Sequence, residues 1–173
     1  MRRKRLRKKP VKKSETQVVG RLGELLVEQV LITRGWLVAN FNASIRNAAI
    51  YDLCAVREQT VITVRVKARR ADVSAFRWSV KKNGVIFSNI RKSGDFVIAV
   101  STGDAPEFYV LPTHVVNRAL KRNYRHYRKD RPRTKDWSAR IIWLSGSPKA
   151  RSRGYAQRWR KYWNNWSLLK QRG

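Results

Sequence analysis

The chain has 173 residues, which fits one domain with a modest core plus extensions and leaves little room for two full domains. Its 40 Lys and Arg residues outnumber its 11 Asp and Glu residues, giving a formal net charge of +29. A charge this large repels itself in a compact chain, so we expect a polyanionic partner, with nucleic acid the first candidate and a membrane surface the competitor.

The sequence also limits the compartment. No run of about 18 apolar residues is present, and the basic first 13 residues lack the apolar centre of a secretory signal. We therefore expect a cytoplasmic, nucleoid-associated protein without a membrane partner, or a nuclear one if the cell is eukaryotic. Cys54, the single cysteine, stands in an apolar run and indicates a small buried hydrophobe.

The charge divides the chain into three regions. Residues 1–13 carry nine basic groups and no acid, and residues 118–173 carry eighteen basic groups against two acids. The remaining residues, 14–117, have a net charge of only +4. We expect a disordered basic arm at 1–13, a folded core at 14–117, and a basic, aromatic-rich extension at 118–173 that ends in a helix packed on the core.

The first predicted element is an amphipathic helix that starts near Ser14 or Thr16, either of which can cap it, and closes at Gly35. Its apolar positions recur at helical spacing: Val18, Leu22, Leu25, Leu26 and Val30. The stretch "WLVANFN" then predicts a short strand and "ASIRNAA" a turn. The β-branched stretches "IYDLCAV" and "VITVRVKA" flank "REQT" and predict a hairpin.

Residues 71–92 show no clear periodicity and are expected to be irregular. Two further strands, "DFVIAV" and "EFYVLP", are followed by a helix, "THVVNRALKRNY", that starts at Thr113. The final stretch "GYAQRWRKYWNNWSLL" predicts a helix with an aromatic face that packs on the sheet: Tyr155, Trp159, Tyr162 and Trp166. This order of elements indicates an α/β fold with a sheet flanked by helices.

Charged residues gather at one end of the predicted hairpin. Strand alternation places Arg65 and Lys67 on one face, and pairing around "REQT" brings Asp52 to the same end as Lys67. Glu24 on the first helix is available to join them. Such a group could hold a divalent cation and activate a water for phosphodiester hydrolysis, or it could be only the charged end of a hairpin.

These residues resemble the PD-(D/E)XK nuclease-like superfamily. The similarity lies in "GRLGELLVEQVLITRGW" with Glu24, "NFN", "YDLCAV" with Asp52, "VRVKAR" with Lys67, and the later strands. The resemblance implies a restriction-endonuclease-like mixed central β-sheet flanked by helices, and a Mg²⁺-dependent or Mn²⁺-dependent DNA endonuclease. In it Asp52 would bind the metal, Glu24 would complete or tune the site, and Lys67 would orient or deprotonate water.

Arg65 departs from the family pattern, because that position usually holds Glu, Asp or Gln and a guanidinium offers no metal-binding oxygen. Glu24 or Glu28 could supply the missing oxygen. Alternatively, Arg65 could contact the scissile phosphate while Asp52 and a backbone carbonyl hold one metal. In a third interpretation the chemistry is lost, and the chain is a nucleic-acid-binding or architectural subunit of a larger complex. A ribosome-associated protein would explain the charge alone.

Basic residues interleaved with aromatics predict the nucleic-acid contacts, since cations neutralise phosphates and rings stack on bases. The predicted set is Arg65, Arg69, Arg70, Lys121, Arg122, Tyr124, Arg125, Tyr127, Arg128 and Arg158. DNA is favoured over RNA on the family resemblance, and the sequence is compatible with a homodimer or with a partner protein.

Overall fold

The computed structural model describes residues 13–44, 51–72, 75–80, 94–130, 138–142, 144 and 155–170. The helices are α1 (Lys13–Thr33), the one-turn α2 (Phe41–Ser44), α3 (Thr113–Asp130) and α4 (Tyr155–Trp159). The strands are β1 (Leu37–Asn40), β2 (Leu53–Arg57), β3 (Thr60–Arg70), β4 (Phe76–Val80), β5 (Asp95–Thr102), β6 (Glu107–Pro112) and β7 (Ser138–Ile142). Two 3₁₀ turns follow α4, at Arg160–Tyr162 and Trp166–Leu169. The predicted basic arm lies outside the described residues, apart from Lys13, which belongs to α1.

Five strands form the central sheet in the order β1-β2-β3-β5-β6. Strands β3 and β5 pair in parallel and the other neighbours pair antiparallel, so the sheet is mixed. The predicted hairpin is present as β2 and β3, and the turn between them holds Glu58 at φ 56°. The predicted α/β fold with a mixed central sheet flanked by helices is therefore confirmed.

The sheet separates two apolar cores, because successive side chains of a strand point to opposite faces. On β5, Phe96 and Ile98 join the core beneath α1, while Val97 and Ala99 join the core beneath α3. The C-terminal aromatics fill both cores. Trp159 and Tyr162 pack on the α3 side, and Trp166 packs on the α1 side against Phe108. The prediction that these aromatics are core residues is confirmed.

Helix α1 turns only part of its predicted apolar set to the sheet. Leu26 and Val30 pack against the core, and Val27 and Leu31 are fully buried there. Val18, Leu22 and Leu25 are exposed. The helix ends at Gly35 as predicted, with φ +80°, and the N–H of Gly35 donates to the carbonyl of Ile32 at 2.9 Å. Because α1 already begins at Lys13, Ser14 and Thr16 lie within its first turn and neither is its cap.

Gly23 explains the orientation of α1. A Cβ at this position would lie 2.5 Å from the Cβ of Ala68 on β3 and 3.0 Å from Cγ1 of Val100 on β5. Only a glycine allows the helix backbone to approach the sheet this closely. The stripe that contains Gly23 therefore faces the sheet, and the apolar stripe on the other side of the helix is left at the surface.

Other elements differ from their predictions because long-range contacts decide them. Phe41 and Asn42 form the turn of α2 instead of extending β1, and the segment predicted as irregular contains β4, which pairs with β7 in a second, two-stranded sheet. Helix α3 continues to Asp130, so the predicted boundary at residue 117 falls inside a helix. The predicted terminal helix stops at Trp159 and gives way to 3₁₀ turns. Cys54 is half-buried.

Candidate functional site

Asp52 lies just before β2, and it continues the hydrogen bonding to β3 beyond the end of the β2–β3 pairing. Its N–H donates to the carbonyl of Val64 at 3.0 Å, and its carboxylate Oδ2 accepts from the N–H of Val66 at 2.7 Å. The carboxylate thus accepts the hydrogen bond from the Val66 N–H that a backbone carbonyl of a neighbouring strand would otherwise accept. This bond fixes the side chain and directs the other oxygen, Oδ1, away from the ladder.

Asn42 joins this carboxylate to the one on α1. Its amide nitrogen donates to Oδ1 of Asp52 at 2.8 Å and to Oε1 of Glu24 at 3.0 Å. Helix α2 is held in place by the bond from the N–H of Phe41 to the carbonyl of Asp52, at 3.0 Å. Two carboxylate oxygens from distant parts of the chain therefore point at one atom.

Glu24 and Glu28, the two helix acids considered as substitutes for the missing oxygen, have different partners. The second oxygen of Glu24 accepts from Arg21 at 3.1 Å, while Glu28 accepts from Asn40 at 2.9 Å. Only Glu24 therefore shares a hydrogen-bond donor with Asp52 in the part of the chain that the structure describes.

Lys67 and Arg65 lie on the same face of β3, opposite the face of Val64 that packs under α1. Burial lowers the pKa of Lys67, the nearby Arg65 charge lowers it further, and Asp52 opposes both effects. Burial likewise lowers the pKa of Arg65, with Asp52 acting in the opposite direction. Asp52 is thus close enough to both cations to influence them, and Lys67 is nearer than a surface lysine to the neutral form that can accept a proton.

A cavity of about 360 Å³ adjoins Lys67, between the first half of α1 and the end of β3. Glu15, Thr16, Val19 and Gly20 line one side, and residues 66–70 line the other. Glu24 and Asp52 are not among the residues that line it, so this space borders Lys67 and not the two carboxylates.

The predicted nucleic-acid contacts on β3 do not behave alike. Arg70 is exposed and forms two bonds to Asp72, both at 3.1 Å. Arg69 is only 6% exposed and lies over the ring of Phe76, 4.8 Å from its centroid. This burial argues against the predicted contact of Arg69 with nucleic acid, because the side chain is part of the packing beneath β4.

The remaining predicted contacts lie on α3 and after it. Tyr124 is 7% exposed and belongs to the core beneath α3, which argues against its predicted role in stacking on bases. Tyr127 is half-buried, and the Arg128 side chain lies outside the described part of the structure. Arg158 is exposed, with its guanidinium 5.5 Å from the ring of Trp159.

The outer side of α3 is uniformly basic and lines a groove of about 530 Å³. We call the residues of this groove the basic face of α3: Arg118, Lys121, Arg122, Arg125, His126 and Lys129. The inner side of the helix carries Val116 and Leu120 into the core. Lys121, Arg122 and Arg125 from the predicted set therefore form one continuous surface.

The donor set for a metal ion is small. Among the described residues, no three of the Asp, Glu, His and Cys side chains come together. A cation held between Glu24 and Asp52 would need further oxygens from water, from backbone or from the Asn42 amide after it turns over. Asn42 was missed in the sequence because "NFN" indicated the end of a strand, and only the fold of α2 brings its amide to the two acids.

The fold and this arrangement together define an α/β protein with a nuclease-like fold. The structure is similar to that of a bacterial homing endonuclease, I-Ssp6803I, with a TM-score of 0.51 and 17% sequence identity over 89% of this chain and 91% of that chain. At this identity the likeness concerns the fold. No family model matches the sequence, and no curated protein matches it. None of the described helices has the length and apolar character needed to cross a membrane.

Proposed function

We propose that this protein is a DNA endonuclease that hydrolyses phosphodiester bonds with the help of a divalent cation. The observation that carries the proposal is the convergence of the Glu24 and Asp52 carboxylates on one atom of Asn42, with the half-buried Lys67 within the electrostatic influence of Asp52. The nuclease-like fold supports it, because the similar structure is that of a homing endonuclease. Membership of the PD-(D/E)XK superfamily is part of this proposal.

The basic surfaces favour nucleic acid as the substrate. A formal net charge of +29 and the basic face of α3 suit a polyanion whose phosphates release counterions on binding. The cations of the basic face suit phosphates, and Tyr124 on the same helix is buried. We therefore expect affinity to depend steeply on salt and only weakly on base sequence.

The site offers the oxygen ligands that Mg²⁺ and Mn²⁺ prefer. Oε1 of Glu24 and Oδ1 of Asp52 already surround a hydrogen-bond donor, at 3.0 Å and 2.8 Å, which is the place a small cation would take. Bound there, the ion would polarise the scissile phosphate and lower the pKa of a bound water. Its presence is a proposal that metal-binding measurements test directly.

The two cations of β3 take separate roles in this proposal. Lys67 holds and deprotonates the attacking water, for which its lowered pKa is suited. Arg65 stabilises the negative charge that develops on the phosphate, since a guanidinium donates hydrogen bonds and binds no metal. Both groups are close enough to Asp52 for its charge to affect them.

One observation favours a second candidate function. Arg65 is half-buried beside Asp52, which neutralises part of the charge that a metal would need. A chain in which the Arg65 charge opposes metal binding in this way could keep the fold and the basic surfaces and act only as a nucleic-acid-binding subunit. It would then bind DNA with the same salt dependence but without metal-dependent cleavage.

The decisive experiment compares wild type with Asp52→Asn. The asparagine can still accept the bond from the N–H of Val66, so the fold is preserved while the carboxylate charge is lost. The matched control is Asp104→Ala, which removes an acid from the exposed loop between β5 and β6. Cleavage of supercoiled plasmid with Mg²⁺, Mn²⁺ or EDTA and binding by fluorescence anisotropy are measured for all three proteins.

For an endonuclease, Asp52→Asn should abolish metal-dependent cleavage and leave DNA affinity within about twofold of wild type, while the control cleaves normally. If wild type and Asp52→Asn both bind DNA and neither cleaves it with any metal, the binding-only function replaces the enzyme. If wild type shows no salt-dependent affinity for DNA, both assignments fail.

A further inference from the structure

Helix α1 carries an apolar stripe on its outer side that nothing in the described structure covers. Val18, Leu22, Leu25 and Ile32 are 64%, 43%, 46% and 54% exposed. With Gln29 they occupy positions spaced alternately by four and three residues, which is the heptad repeat of a two-helix seam. We call these five residues the outer seam.

The outer seam lies opposite the stripe that packs on the sheet. At about 100° per residue, Val18 and Val27 are half a turn apart around the helix, and Val27 is fully buried. Helix α1 is therefore apolar on two opposite sides, a pattern typical of a helix that is covered on both. One side has the sheet, and the other side has no partner within the chain as described.

The residues beside the outer seam make it complementary to itself. When two copies of α1 run antiparallel, Leu22 of one copy meets Leu25 of the other, and Val18 meets Gln29. In the same register Arg21 of each copy lies against Glu28 of the other, which gives two equivalent contacts related by the two-fold axis. Arg21 is 46% exposed and donates to Glu24 of its own chain at 3.1 Å, so contact with Glu28 of the second copy would add a second carboxylate to it. One oxygen of Glu28 accepts from Asn40.

The opposite flank of the seam is apolar in the same register. Val19 of one copy meets Leu26 of the other, and both side chains are partly exposed in the single chain. One flank thus offers opposite charges and the other offers apolar surface, which fixes the direction of pairing. A parallel pairing would instead place Arg21 against Arg21 or leave the charges apart.

We propose that the outer seam of α1 is a dimer interface that binds a second copy of this chain in antiparallel orientation. The seam runs over 15 residues, from Val18 to Ile32, or about 21 Å of helix, and gives an isologous two-fold contact. The inference does not depend on the proposed function, because none of the five seam residues belongs to the candidate site. A helix pair of this length alone is modest, so the dimer should dissociate on dilution.

The test is sedimentation equilibrium of the full chain over a concentration series in buffer with moderate salt and no nucleic acid. We expect the mass to rise from that of the 20.3 kDa chain to twice that value. Leu25→Lys should leave only monomer. The control Leu37→Lys changes a leucine that is 79% exposed on β1 and should dimerise like wild type.

Charge reversal tests the antiparallel register, and it remains informative if Leu25→Lys fails to fold. Arg21→Glu and Glu28→Arg, each alone, should weaken dimerisation on the order of tenfold by placing like charges together. The double variant should recover most of the affinity. A wild-type chain that stays monomeric at the highest concentrations would overturn the proposal. So would equal loss of dimer with Leu37→Lys, and failure of the double variant to recover would overturn the antiparallel register.

Discussion

Replacing Gly23 with alanine tests the contact that sets the position of α1 and of Glu24 beside it. The new Cβ would meet Ala68 Cβ at 2.5 Å and Val100 Cγ1 at 3.0 Å, so α1 must move away from the sheet. Overpacking of this kind costs about 1–3 kcal/mol. Gly20→Ala is the matched control, because a Cβ at Gly20 has nothing within 4 Å.

The pair of variants isolates the steric cost. Both substitutions gain about 1 kcal/mol of helix propensity, so this gain cancels in their difference. We expect Gly20→Ala to be more stable than wild type and Gly23→Ala to be less stable than Gly20→Ala by about 2 kcal/mol, or about 1 M in urea midpoint. Equilibrium urea unfolding followed by tryptophan fluorescence measures this difference.

A double-mutant cycle identifies the clash. Ala68→Gly removes the nearest atom, so it should be less harmful in the Gly23→Ala background than in wild type by at least about 1 kcal/mol. Equal stability of the two Gly→Ala variants, or a coupling near zero, would refute the close packing of α1 on β3.

Two further changes test the burial of Tyr109 and the role of α3. Burial, with the charge of Glu107, raises the pKa of Tyr109 to about 12, while Arg69 opposes this shift. The unfolded chain therefore loses this proton first as pH rises above about 10, and stability falls between pH 10 and 12 by at most about 3 kcal/mol. Urea unfolding of wild type and Tyr109→Phe at pH 9 and 11.5 measures this effect. The free energy of unfolding should fall less in Tyr109→Phe than in wild type, and an equal fall in both would contradict the burial of the Tyr109 hydroxyl. The second change replaces three residues of the basic face of α3 by alanine: Lys121, Arg122 and Arg125. It should reduce the slope of log affinity against log salt by about 2–3 for duplex DNA, whereas an unchanged slope would remove α3 from the interface.

Local patterns were sufficient for much of the fold. The β2–β3 hairpin, β5, β6 and the end of α1 at Gly35 follow from alternation, β-branched residues and a glycine at a helix end. Strand β4 was missed because its partner β7 is about 60 residues away, and no local pattern reports such a pairing. The buried side of α1 was predicted only in part, with Leu26 and Val30 right and Val18, Leu22 and Leu25 wrong, because both sides of the helix are apolar and the close approach at Gly23 distinguishes them.

The sequence was sufficient to predict the hairpin residues of the site but not the hydrogen bonds that join the two carboxylates. Hairpin register predicts Asp52 and Lys67 at one end of the sheet, and in the structure the charge of Asp52 opposes the lowering of the Lys67 pKa by burial. Asn42 could not be identified, since its role depends on α2 folding back against both acids. The burial of Tyr124 was not predicted, because this residue lies in a basic stretch whose composition suggests an exposed surface. Its position around helix α3 is what turns it to the core.

Arg65 determines how a cation could bind here. The Asp52 carboxylate acts on the charges of Arg65 and Lys67, and Glu24 forms an ion pair with Arg21, so the site has little negative charge left for a dication. A DNA phosphate would supply the missing charge, and we therefore expect weak metal binding without DNA and tighter binding with it. Arg65→Glu removes one cation and adds an oxygen donor, so calorimetry should show at least tenfold tighter Mn²⁺ binding in the absence of DNA. Unchanged Mn²⁺ affinity in this variant would mean that the residue at position 65 does not face the carboxylates, and the proposed arrangement of the site would then be wrong.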